Sequence, residues 1–210
     1  MVKHFGRTLV FTAFAAAVLS CATPASAAPI VYFADLSGPN ESPSNASPGL
    51  GSALVTIDTV LNTMRVQVSF SGLTSGDTAS HIHVINGPGD ANTSDTLGPV
   101  ATTTPTFTGF PSGVTSGIFD STFDMTLAGS YRAGFITDAG GIAAAEAALF
   151  AGIVDGRAYL NIHTTNFPNG EIRGFLQPQQ TTQPVPEPGT MLLVGAGVAG
   201  VLRMRARRII

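Results

Sequence analysis

The sequence predicts an all-β domain, an antiparallel sandwich or Greek-key barrel with one short helix, flanked by a targeting segment at each end. Three observations carry this. Short alternating runs of apolar and polar residues recur through the middle of the chain, separated by Gly, Pro, Asn and Asp. A single alanine-rich stretch interrupts them. Both ends abandon the alternation for an apolar block beside basic residues.

Residues 1–27 read as a secretory signal peptide. Lys3 and Arg7 precede the apolar run 8–19, and Ala25-Ser26-Ala27 supplies the small residues of a cleavage site. Lipid attachment at Cys21 is the competing reading, but Val18-Leu19-Ser20 is a poor match to the motif that would direct it. The only cysteine then leaves with the leader, so the exported domain has neither a disulfide nor a thiol for chemistry.

Residues 28–177 are enough for one domain with a real core. Strands are predicted at 30–36, 51–58, 62–70, 80–85, 97–102, 118–127, 157–164 and 171–177. In the third of these, Met64, Val66, Val68 and Phe70 alternate with Arg65, Gln67 and Ser69, the pattern of a half-buried strand. The stretch 141–150, with Glu146 among alanines, is the predicted helix, closed by Gly152 and the turn before Gly156. Residues 178–184 form a polar, extended linker.

The last segment, 185–210, reads as a membrane-sorting tail. Pro186-Glu187-Pro188 leads into an apolar run, 190–202, followed by Arg203, Arg205, Arg207 and Arg208. That run has 13 residues. As a helix it covers about 20 Å of a ~30 Å hydrocarbon core, and its arginines belong on the cytoplasmic side. The order of motif, short transmembrane segment and basic end resembles the PEP-CTERM signal recognised by exosortases. The resemblance implies export through the inner membrane, transient anchoring there by the tail, and release to the cell surface or extracellular space.

Charge narrows the partners. From 28 to 184 there are four arginines, no lysine and twelve Asp plus Glu, and four minus twelve is a net charge of −8. Such a surface repels nucleic acid and anionic lipid and favours cations.

Three histidines remain after the leader. In the predicted strands, His81 and His83 share one face, with Ile82 and Val84 on the other. Leu160 and Ile162 take the core, so His163 also points outward. A His-x-His pair plus one distant histidine is a common way to build a copper or zinc site from two strands. Copper is the candidate cofactor. The same pattern also occurs on strands where the histidines are merely surface or structural residues, and both readings stand at this stage.

In the hairpin 157–177, Glu171 and Arg173 share the face of His163, while Ile172 and Leu176 face inward. A two-residue Asn169-Gly170 turn would pair odd with even positions and break this arrangement. The connection is therefore predicted to be odd in length, or bulged, with Gly170 at positive φ. Glu171 is then placed to accept a hydrogen bond from the His163 imidazole and fix its tautomer, or else to form a surface pair with Arg173.

Other chemistry is poorly supported. Asp90, Asn92, Ser94 and Asp95 in the loop 86–99 carry alternating oxygens of the kind calcium uses, but no distal bidentate glutamate follows, which favours a plain loop. No Gly-x-Ser-x-Gly elbow is present.

The blocks Phe33-Ala34-Asp35-Leu36-Ser37-Gly38, Ala79-Ser80-His81-Ile82-His83 and Gly98-Pro99-Val100 resemble a CHRD domain. So do Gly156-Arg157-Ala158-Tyr159-Leu160-Asn161-Ile162-His163-Thr164 and Phe167-Pro168-Asn169-Gly170-Glu171-Ile172-Arg173-Gly174, the most specific part of the match. Asn40-Glu41-Ser42-Pro43 departs from the family's usual Glu-Val-Pro-Pro. The resemblance implies an immunoglobulin-like barrel without established enzymatic activity. A weaker similarity links the histidines to part of the copper site of copper/zinc superoxide dismutases. The chain has no further exported histidine to bridge two metals.

Together these features imply a non-enzymatic exported protein with a structural or adhesive role toward an extracellular polysaccharide or matrix protein. The alternative is a copper-binding or redox protein using His81, His83 and His163.

Overall fold

The protein is described as a computed structural model, which covers residues 27–91 and 96–179. The expected leader up to residue 26, Asn92, Ser94 and Asp95 of the proposed calcium loop, and the sorting motif Pro186, Glu187, Pro188, Arg203, Arg205, Arg207 and Arg208 lie outside the described residues.

The chain forms one mostly antiparallel β-sheet, curled into a half-barrel, with two short helices. Strands β1 (Ile30–Ser37), β2 (Leu50–Asp58) and β3 (Thr63–Ser71) follow the alternation closely, burying Tyr32, Ala34, Leu36, Ala53, Val55, Ile57 and the Met64–Val66–Val68–Phe70 row. The β2–β3 turn is local chemistry. Asp58 Oδ1 accepts the Val60 and Leu61 amides at 2.9 Å each, and Asn62 takes φ of 51°. After β4 (Asp77–Val84) and β5 (Gly117–Asp124) come the helices α1 (Ala133–Ala139) and α2 (Ile142–Val154). Then follow β6 (Ala158–Thr164), β7 (Ile172–Phe175) and β8 (Gln177–Pro178). The sheet runs β4-β6-β7-β1-β2-β3-β5, with β8 also on β1. The concave face and the buried stripe Ala145, Leu149 and Ile153 of α2 enclose the core.

Several boundaries move for physical reasons. The predicted strand at 97–102 makes only isolated bridges, His83 to Val100 and Thr102 to Tyr131. Pro99 has no N–H to give, and the Thr102 hydroxyl, not its backbone, takes the Ile82 amide at 2.9 Å. The strand predicted to reach 127 stops at Asp124, whose carboxylate accepts the Thr126 amide and hydroxyl to make a turn. Two helices stand where one was expected, and α2 runs through Gly152 to Val154. Gly140 and Gly141, both at positive φ, separate them. Among the described residues no single helix is long and apolar enough to cross a membrane.

Candidate metal centre

The site lies on the convex face of β4, β6 and β7. Their register sets Ala79 opposite His163, His81 opposite Asn161 and His83 opposite Tyr159. It continues with Asn161 opposite Arg173 and Tyr159 opposite Phe175. Period two along each strand then collects His81, His83, Tyr159, Asn161, His163 and Arg173 on one side, while Ile82, Leu160, Ile162 and Ile172 line the core. Ring centroids of His81 and His83 are 5.0 Å apart, of His81 and His163 4.7 Å, and of His83 and His163 6.5 Å. One ring nitrogen from each lies within 4.8 Å of the other two. Nitrogens around a four-coordinate ion with 2.0–2.1 Å bonds sit about 3.3 Å apart, so small ring movements would close this set on a metal.

The outward orientation read from the sequence holds, but the exposure does not. His81 is only 7 % exposed, and the Nε2 atoms of His83 and His163 are fully buried with no hydrogen-bond partner. Loops cover this part of the sheet. His83 Nδ1 meets the Gly98 carbonyl at 2.7 Å and His163 Nδ1 meets the Pro168 carbonyl at 2.9 Å. A carbonyl can only accept, so both rings carry their proton on Nδ1 and keep the Nε2 lone pair for a ligand. His81 Nδ1 faces the Asn161 amide oxygen at 3.3 Å, which favours the same tautomer. Gly98 reaches β4 because it lacks a side chain, since a Cβ there would lie 2.3 Å from the Val84 carbonyl oxygen.

The rings are held neutral. Burial, with repulsion from the other two histidines, lowers His81 to about 3. Burial likewise lowers His83 to about 4, against the Gly98 hydrogen bond and helped by His163 and Arg173. His163 is lowered by burial too. Neutral imidazole is the form that binds metal.

Glu171 does not meet His163. It turns to the inner side, fully buried, where its carboxylate accepts from Ser47 Oγ (2.6 Å), Thr164 Oγ1 (2.6 Å), the Thr74 amide (2.7 Å) and Thr74 Oγ1 (3.1 Å). The register Ile162 to Ile172 leaves an odd-length connection with Gly170 at φ 125°, as the pattern required, but β7 begins only at Ile172 and Glu171 leaves the sheet before it. The backbone carbonyl of Pro168 does for His163 what the carboxylate was expected to do.

Four other residues complete the centre. Tyr159 stacks on His83 with centroids 4.7 Å apart and planes 6° from parallel. The Arg173 guanidinium lies over the Tyr159 ring, 4.7 Å from its centroid. It donates to the carbonyls of Asn40 (2.5 Å) and Thr96 (2.7 Å), tying two loops over the histidines. Its ionic partner is Glu41 at 3.8 Å, both side chains 4 % exposed. Burial pushes the Glu41 carboxyl up to about 7, with Arg173 and the Ser42 amide pulling it back only partly. Asn161, Tyr159 and His163 sit at spacings of two in one strand, so that signal was in the sequence. Glu41 follows the turn Gly38–Asn40, and its one signal was its place in the block that departs from the family's Glu-Val-Pro-Pro. Of the proposed calcium oxygens, Asp90 accepts the Asn86 amide at 2.7 Å.

The CHRD domain model matches residues 32–176, and the PEP-CTERM protein-sorting motif matches 184–208. No curated protein and no solved structure matches the chain.

Proposed function

Starting from a chain that belongs to the CHRD domain family over residues 32–176 and ends in an exosortase-recognised sorting motif, we propose that it is an exported, envelope-sorted protein that binds a transition-metal ion through His81, His83 and His163. The observation that carries this is the convergence of one ring nitrogen from each of three histidines within 4.8 Å, with the Nε2 atoms of His83 and His163 buried and unpartnered. Backbone carbonyls orient two of the rings as the outer partners of metal-bound histidines do. Copper is the favoured ion and zinc the competitor. The signal peptide 1–27 and the tail 185–210, with its short span 190–202, supply the route: export, transient inner-membrane anchoring and exosortase processing. The role is binding rather than catalysis.

A structural or adhesive role toward a polysaccharide or matrix protein is the second reading. Leu50 and Ile118, 62 % and 82 % exposed beside a shallow groove of about 650 Å³ on β2, β3 and β5, favour it.

The test is titration of the exported protein, purified intact in detergent, with copper(II) and zinc(II), followed by calorimetry and electron paramagnetic resonance. Micromolar or tighter binding, about 8 kcal/mol, is expected, and it should vanish when all three histidines are replaced by alanine. Identical binding in that variant would leave the adhesive reading in its place.

A further inference from the structure

We propose that this three-histidine centre selects monovalent copper over divalent ions, and that Arg173 is the residue that weights the choice. The inference rests on the metal-binding reading above and goes on to the valence of the ion.

The donor set is the first argument. The cluster holds three imidazoles and neither a carboxylate nor a thiolate. Each Nδ1 meets a neutral oxygen, of Asn161, Gly98 or Pro168, so no carboxylate behind a ring pushes negative charge onto the metal. Two buried acidic groups beside this hairpin, Glu171 just before β7 and Glu41 just after the 38–40 turn, are already engaged. Glu171 is turned inward onto Ser47, Thr74 and Thr164, and Glu41 faces Arg173.

The permanent charge beside the cluster is positive. Arg173 lies over Tyr159 and Tyr159 stacks on His83, which keeps the guanidinium within about 10 Å of the His83 ring. It is held there by the carbonyls of Asn40 and Thr96, and it does not deprotonate. A buried ion's desolvation cost grows with the square of its charge, and repulsion from a fixed cation grows in proportion to it. At a separation on the order of 10 Å and an effective dielectric near 20, each added unit of ion charge lowers affinity on the order of tenfold.

Coordination number points the same way. A monovalent copper ion is satisfied by two or three nitrogens, whereas zinc and divalent copper seek a fourth ligand or more. Here the Nε2 atoms of His83 and His163 are sealed from solvent beneath the covering loops.

The experiment uses the intact exported protein under anaerobic conditions. Copper(I) affinity is read by competition with a chromogenic copper(I) chelator, and zinc(II) and copper(II) affinities by calorimetry. The same set is measured on Glu41→Gln/Arg173→Met, which removes both buried charges together, after circular dichroism shows that it is folded. Copper(I) should bind at least about 100-fold more tightly than zinc(II), and the variant, which also removes the partly ionised Glu41, should move the copper(II)-to-copper(I) affinity ratio about threefold or more toward copper(II). Zinc(II) binding as tight as copper(I) overturns the inference while leaving the metal-binding reading intact. Failure to bind any of the three ions sinks both. An unchanged ratio in the folded variant overturns the role of Arg173. The wild-type comparison needs no variant and decides the valence even if the substituted protein does not fold.

Discussion

Glu171 and Glu41 are both buried carboxylates close to the same hairpin, and their surroundings drive them in opposite directions. Burial raises Glu171, but hydrogen bonds from Ser47, Thr164 and Thr74 outweigh it and hold the group below the ordinary carboxylate value of 4.5. Its stabilisation is therefore present above 4.5 and is lost as pH falls through the lowered folded value. Glu41 is the reverse. Raised to about 7, it favours the neutral form, so its contribution is present below 4.5 and fades as pH rises through about 7. Replacing Glu171 by Gln turns two of its acceptor positions against hydroxyl and amide donors. The expected loss is about 2–3 kcal/mol in urea unfolding at pH 7; a loss below about 0.5 kcal/mol would contradict the assignment of this carboxylate as the tie between the loops at 47, 74 and 164.

At the scale of elements, the centre depends on loops pressed onto a regular sheet. Segment 97–102 follows β4 without becoming a strand, and this irregularity is what delivers the Gly98 carbonyl to His83. Gly98→Ala would set a methyl against the Val84 carbonyl oxygen, so the segment must lift away. The expected result is a metal affinity about tenfold weaker with a stability loss of only about 1–2 kcal/mol, read from the same titration and a urea melt. An affinity equal to wild type would show that Gly98 does not orient His83. The sheet itself tolerates such loops because its own pairing, β1 to β2 and β2 to β3 above all, runs through long uninterrupted registers.

For the whole molecule, the three histidines make folding depend on pH. All are lowered from the ordinary 6.5, His81 to about 3 and His83 to about 4. The fold holds them neutral, so their stabilisation is complete above 6.5 and drains away as pH falls toward the lowered values. The metal-free protein should thus lose stability steeply between pH 6.5 and 4, with the unfolded state taking up more than one extra proton. Glu41 opposes this slope by at most one proton over the same range. Urea unfolding at stepped pH reads the slope directly, and replacing the three histidines by asparagine should flatten it. A slope unaltered by that change would place the acid sensitivity elsewhere.

Much of the architecture was legible from local pattern. Alternation of two marks a half-buried strand wherever one face meets a core, so β1, β2, β3 and β6 were readable from residues such as Met64, Val66, Val68 and Phe70 alone. The sharing of one face by His81 and His83, and the odd-length connection that contains Gly170, follow from the same period. The sorting motif was legible for another reason: it is read as a linear string, without a fold. Tertiary structure alone decided that His163 meets the other two, because the pairing of β4 with β6 joins residues some 80 positions apart. It also decided that loops bury His81 and half-bury His83 and His163, that Arg173 and Glu41 stand behind them, and that Glu171 turns inward. A period describes one strand, whereas register and loop cover are settled by the core that distant segments build together.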